Sequence, residues 1–312
     1  MHLILSYLRF LLKSTNQHGV HSPFVFSLVT KCFYDKKRHP AYDNIKEYRK
    51  KLLQNKKTIS VTDFGAGSRV FSSDERKISA IAKNAGITPK RARLLNKLVW
   101  YLEIENALEL GTSLGISTAA MAAGNKAQVT TIEGCPATAE IAREQFEEFG
   151  WDNIELKVGE FGTILNEEKY EVRSTRLKVK EENFKFQIPN STSVDSQLAT
   201  ENRKQKTENG KPKTTNNQQQ TTNNKQPQPF DLIFIDGNHQ KEATLDYFEK
   251  LLSSIHNDSV LIFDDIHWSK EMEEAWEEIK LHPTVSVTID TFHWGLVFFR
   301  REQAKEHFVI RV

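Results

Sequence analysis

From residue 106 onward the chain alternates short apolar runs with longer stretches whose apolar residues fall at helical spacing. The runs 107–110, 129–132, 154–158, 231–235, 259–263, 285–289 and 295–299 read as strands. The stretches 117–123, 137–149, 163–166, 241–255 and 270–281 read as the helices between them. This rhythm predicts an α/β fold: a Rossmann-like, seven-stranded, mostly parallel sheet with helices on both faces. The last two runs are joined by a short loop, which suits an antiparallel hairpin at one edge.

Residues 1–95 read differently, as an N-terminal helical region ahead of an α/β domain over 96–312. Ile4, Leu5, Leu8, Leu11 and Leu12 fall at helical spacing. Ser6 and Arg9 interrupt the apolar run, which is too short to span a bilayer and has no small-residue cleavage site. A helix that docks on this chain, or on a second copy in a homodimer, is expected. Ser22 and Pro23 supply the cap and first turn of another helix, 43–54 and 75–83 are charged helical stretches, and Thr88 caps a helix running through Val99. Residues 171–229 break the pattern. Their segment 216–229 holds no apolar residue, so a disordered, low-complexity surface insertion is expected there.

Composition narrows the partners. Of 312 residues, 38% are hydrophobic and 27% charged, and the net charge is only +2. No overall field draws the chain to nucleic acid or to an anionic membrane, so neither is expected as a partner. Cys32 and Cys135 are far apart and lack metal-site spacing, which predicts reduced thiols in a cytoplasmic protein.

The strand 107–110 runs into Glu109-Leu110-Gly111-Thr112-Ser113-Leu114-Gly115-Ile116-Ser117. Such a turn brings the backbone close to a ligand at Gly111 and aims helix N–H groups at an anionic group. Glu133 ends the next strand, where a carboxylate can accept both hydroxyls of a ribose. The Gly111–Gly115 spacing is not GxGxxG, which favours an adenosyl ligand without a pyrophosphate over a dinucleotide. Thr62-Asp63-Phe64-Gly65-Ala66-Gly67-Ser68 resembles a second such turn. No strand ending in an acid follows it, so it reads as a loop of the helical region near the site.

The run 109–121, then Thr131-Ile132-Glu133, Val158-Gly159, Phe234-Ile235-Asp236-Gly237 and Ile262-Phe263-Asp264-Asp265, together resemble class I S-adenosylmethionine-dependent methyltransferases. The likeness is to the small-molecule O-methyltransferases of the catechol type. That resemblance implies an enzyme moving a methyl group from S-adenosylmethionine to an oxygen of a small-molecule substrate. It puts Glu109 and Gly111 beside the methionine moiety within the cofactor turn Gly111, Thr112, Ser113 and Gly115. It puts Ser117 on the methionine carboxylate, Glu133 on the ribose, and Gly159 and Glu160 by the adenine. Phe161 departs from the family, which has a small polar residue there.

The resemblance also implies a divalent metal such as Mg²⁺ on Asp236, Asp264 and Asp265. Three strand-end carboxylates suit a hard cation, and no Lys or Arg lies within two positions of any of them. His239 stands where the family has a basic Lys. It reads either as a catalytic base working with Asp236 or as a cap of the next helix. His267 and Trp268 are expected to line the pocket. Two other readings remain: a methyltransferase-like binding scaffold without catalysis, and a methyltransferase acting on a macromolecule.

Overall fold

The computed structural model describes residues 2–62, 73–167 and 228–312. The chain opens with α1 (His2–Lys13), α2 (Pro23–Leu28), which runs on into a single π turn (Val29–Phe33), and α3 (Ala41–Gln54). Ser22 caps α2 by accepting from the Val25 N–H, with Pro23 in the first turn as expected. Two short strands follow, β1 (Thr58–Ser60) and β2 (Glu75–Lys77), paired antiparallel.

The stretch 75–83 is therefore not one helix. Its first three residues belong to β2, and α4 (Ile78–Asn84) starts only where Ile78, Ile81 and Ala82 become buried. The Ile78 and Ser79 N–H groups, unpaired at a helix start, are taken by the carbonyls of Lys57 and Asn55. Helix α5 (Pro89–Tyr101) is capped by the Thr88 hydroxyl, 3.3 Å from the Arg91 N–H. Residues 63–68 of the second glycine turn lie outside the described residues. So does all of the expected insertion except Gln228 and Pro229.

The α/β alternation follows: β3 (Asn106–Leu110), α6 (Ile116–Ala122), β4 (Gln128–Glu133), α7 (Pro136–Glu148), β5 (Ile154–Val158) and α8 (Phe161–Glu167). Past the insertion come β6 (Phe230–Ile235), α9 (Lys241–Leu251), β7 (Ile255–Asp264), α10 (Lys270–Leu281), β8 (Val287–Asp290), β9 (Trp294–Phe298) and β10 (Glu306–Val309). They form one sheet in the order β10-β8-β9-β7-β6-β3-β4-β5. All neighbours are parallel except β9, which is antiparallel to both β7 and β8.

The sheet has eight strands, one more than the sequence pattern predicts. The extra strand, β10, pairs in parallel with β8 and sits on the outer edge. Its Phe308 and Val309 are only half-buried, so it shows none of the continuous apolar character of the central strands.

Side chains alternate across the sheet with a period of two. Leu232, Phe234, Val260 and Ile262 join one core. Ile233, Ile235, Leu261 and Phe263 join the other. The first core also takes in Leu28, Tyr48, Leu52, Leu95 and Leu98, so the N-terminal helices cover one face of the sheet. Both faces are buried, as a parallel sheet requires. The chain leaves β3 toward β4 on one side and returns to β6 on the other. Beyond the carboxyl ends of β3 and β6 lies the crevice where open α/β sheets place their ligands. Among the described residues no helix is long and apolar enough to cross a membrane.

Candidate functional site

At the end of β3 the backbone turns through Gly111 at φ +105°, a conformation that favours glycine. A Cβ there would come within 2.0 Å of the Asp236 carbonyl oxygen. Gly111 thus lets β3 and β6 close on each other: its close approach is to the neighbouring strand end. Gly115 caps α6 at φ +74°, packed against Phe146 and Tyr48. The turn is held by Glu133, whose two carboxylate oxygens accept from the Ser113 N–H (2.6 Å) and the Cys135 N–H (2.8 Å). The Thr112 hydroxyl meets that of Thr131 at 2.6 Å.

Glu109 points from β3 into the protein and is completely buried. Its Oε2 accepts from the hydroxyls of Thr118 and Thr131, while its Oε1 is buried with no hydrogen-bond partner. Burial pushes this carboxyl up to about 7, with the hydroxyls of Ser117, Thr118 and Thr131 working the other way. A narrow crevice of about 10 Å³ lies over Gly111, Thr112, Ser113, Ser117 and Asp236, bordered by Ala82, Gly86 and Ile87. Gly159 is tied to the end of β4 by its N–H on the Glu133 carbonyl, and the exposed Glu160 accepts from Thr163 of α8. Phe161 lies over Gly237 and against Tyr247, closing the far side of β6.

Asp236 follows β6, and Asp264 ends β7 with Asp265 next to it. Asp236 is raised well above the usual carboxylate range by burial and by the charges of Asp264 and Asp265. Asp264 is only 6% exposed. It pairs with Arg91 in the first turn of α5, Nη1 to Oδ1 2.9 Å. His239 Nε2 stands 3.8 Å from Asp236 Oδ1, and its ring centroid is 6.1 Å from that of Trp268. The N-cap of α9 is Gln240, so His239 does not cap that helix.

A family model described as a methyltransferase domain matches residues 108–266, just over half of the chain. The chain belongs to that family. The methyltransferase shows no match among curated proteins. An O-methyltransferase from Bacillus cereus, solved in complex with SAH, is 18% identical to it, with 85% of this chain and 93% of that one covered and a TM-score of 0.46. The O-methyltransferase TomG from Streptomyces achromogenes, in complex with SAM, is 14% identical over 85% and 91% of the chains, at 0.47. The SAH-bound methyltransferase PaMTH1 from Podospora anserina is 12% identical over 90% and 97%, at 0.49. Likeness at this level carries no information on substrate.

Within the methyltransferase Gly111, Thr112, Ser113, Ser117 and Asp236 line the crevice, while Gly115 caps α6, Glu133 accepts from the Ser113 N–H and Glu109 accepts from the Thr131 hydroxyl. The metal expectation fares differently. Asp236, Asp264 and Asp265 stand together, yet Asp264 is already paired with Arg91 at 2.9 Å. Among the described residues no group of three or more His, Cys, Asp or Glu side chains is arranged to hold a metal ion. A divalent cation does not fit this donor set as it is arranged. Arg91 lies 173 residues away from Asp264 in sequence, so no local window holds both. One signal was present: the first turn of α5 carries Lys90 and Arg91 and no acid, against the helix dipole.

His267 is also placed differently from the expectation that it lines the pocket. Its ring nitrogens bond Glu273 (2.9 Å) and Asp290 (3.0 Å), tying the start of α10 to the end of β8. Burial works against its charged form, but the two carboxylates outweigh this and raise its pKa.

Proposed function

We propose that the methyltransferase moves a methyl group from S-adenosylmethionine to an oxygen atom of a small molecule. The observation that carries the donor half is the buried, unpartnered Oε1 of Glu109 beside the glycine turn. A lone buried carboxylate oxygen is costly, and the ammonium of a methionine moiety would relieve it. Ser117 and the turn's N–H groups would then hold the methionine carboxylate, Glu133 the ribose hydroxyls, and the Gly159–Glu160 corner the adenine edge. The sulfonium donor supplies an electrophilic methyl group and leaves as a neutral thioether. Entry of a nucleoside requires the segment around Ala82, Gly86 and Ile87 to move outward, because the crevice they border is narrow.

The acceptor half rests on His239 and Asp236 at the opposite lip. His239 takes the proton from the acceptor hydroxyl as the oxygen attacks in line with the departing sulfur. The Asp236 carboxyl, 3.8 Å from Nε2, favours the imidazolium that forms, and no step needs a metal. Calorimetry with adenosylhomocysteine tests the reading: saturable binding is expected, weakened at least about tenfold by Glu133→Ala. Absence of binding to the intact protein would leave a methyltransferase-like scaffold instead.

The apolar side of α1 supports a homodimer. Ile4, Leu8 and Leu12 are 66%, 52% and 88% exposed, and a second copy of the same helix would cover them. Cys32 and Cys135 are both buried and unpaired, which supports a reducing, cytoplasmic setting.

A further inference from the structure

A cavity of about 700 Å³ runs along α5, well within the size of small-molecule sites. We propose that it binds the methyl acceptor, and that the acceptor is a flat aromatic molecule bearing an anionic group such as a phosphate, sulfonate or carboxylate. The inference rests on the proposed reading of Asp236 and His239 as the reacting end of the site.

Charge is the first argument. Lys36, Lys37, Lys90, Arg93, Lys97 and Arg311 line the cavity, with Asp35 and with Val312, whose oxygen accepts from Lys90 at 2.7 Å. The whole chain carries only +2, so this concentration is local. Lys97 is committed to the carbonyls of Phe33 and Asp35, and Arg311 to the carbonyl of Leu11 and the hydroxyl of Ser14. Lys36, Lys37 and Arg93 have no side-chain partner among the described residues. Six like charges around one concavity repel one another, and an anion offsets that repulsion.

The walls are the second argument. Tyr7, Phe10 and Phe292 form a packed aromatic side, with Tyr7 edge-on to Phe292 at 4.8 Å and Phe10 at 5.5 Å from it. Such rigid rings favour a flat apolar body by stacking. Trp294 and Arg91 also line the cavity, and both the Trp294 Nε1–H and the Arg91 Nε–H are buried without a partner. Buried donors in this condition are rare and favour an acceptor oxygen arriving from a ligand.

Position is the third. Arg91 in the cavity wall holds Asp264, and His293, also in the wall, stands 3.9 Å from Asp265. The cavity therefore borders the acidic cluster at one end. Lys97 lies six residues further along α5, about 9 Å at 1.5 Å per residue. A molecule about two fused rings long would reach from its hydroxyl at the Arg91 end to its anion near Lys97, Lys37 and Arg93.

Naphthyl phosphate, naphthalenesulfonate and naphthoate are suitable fluorescent probes, with naphthol as the neutral control. Inorganic phosphate and a short oligothymidylate complete the set. The three anionic naphthyl compounds are expected to bind in saturable, equimolar fashion, and their order of affinity identifies the preferred anion. Naphthol is expected to bind at least about tenfold more weakly. The double variant Lys37→Glu, Arg93→Glu changes only exposed side chains, and it should weaken the anionic probes by about tenfold or more while leaving adenosylhomocysteine affinity unchanged.

Equal binding of naphthol and naphthyl phosphate, or an unaffected double variant, overturns the proposal. So does inorganic phosphate matching naphthyl phosphate, which would mean an ion site only. Tighter binding of the oligothymidylate would replace the small-molecule pocket by a nucleic-acid surface. The two readings fail separately: lost adenosylhomocysteine binding with intact probe binding removes the methyl donor, and the reverse removes this cavity.

Discussion

Replacing Arg91 by Met tests whether an arginine, and not a metal ion, balances the acidic cluster. The guanidinium is 21% exposed and its partner carboxylate 7%. Removing one member of a fully buried pair costs about 3–5 kcal/mol, because the other charge is left without compensation. Here the pair is open to water on the arginine side, and Asp264 can take up a proton, so about 2–3 kcal/mol is the expected loss. That is a sizeable share of a total stability of about 5–15 kcal/mol. Urea unfolding of the wild type, Arg91→Met, Asp264→Asn and the double variant isolates the pairwise coupling, expected at about 2 kcal/mol. The double variant should be no worse than Arg91→Met alone. Neither chelator nor Mg²⁺ should shift the wild-type transition. Additive losses, or a clear rise in stability with Mg²⁺, would refute the reasoning and return the three carboxylates to a cation.

Glu109 makes two linked predictions. Its carboxyl ionises near 7 in the fold and near 4.5 in an ordinary setting. The unfolded chain therefore holds fewer protons across that window, and this residue's contribution makes stability fall as pH rises through it. A ligand ammonium favours the ionised form, so adenosylhomocysteine affinity should rise about tenfold from about pH 6 to about pH 8; a flat profile that Glu109→Gln leaves unchanged would contradict the donor geometry. For the α1 face, light scattering should find a dimer that Ile4→Glu with Leu8→Glu converts to monomer, and a monomeric wild type would remove the homodimer.

Much of the central sheet was legible because it obeys local rules. Continuous apolar runs such as 232–235 are what a strand buried on both faces must be. The Gly111 turn and Glu133 could be found because they sit at strand ends in consecutive units. What escaped was either short or distant. The strand β10 has four residues and an open edge. The antiparallel pair β1–β2 is hidden because its strands have three residues each and Arg76 and Lys77 give no apolar rhythm. The balance of charge at Asp264 depends on Arg91, and the basic cavity draws on residues near 36, 93 and 311. No window of neighbouring residues contains these sets, since the folded chain alone brings them together.

The bond between the two ends of the chain has a consequence for how the protein forms. Thr15 donates to the Val309 carbonyl and accepts from the Arg311 N–H, making a bridge with Ile310 across nearly the whole sequence. Closing so large a loop is slow, because its entropy is lost before any contact compensates. During synthesis the first helix precedes its partners, Phe292 and Ile310, by nearly 300 residues. Tyr7 and Phe10 stay uncovered meanwhile, and they need protection from other chains for that interval. The cavity they line is thus among the last features to take shape. A destabilising change at Thr15 or Ile310 would show first as slow or aggregation-prone folding, and only later as a loss of fit for the acceptor.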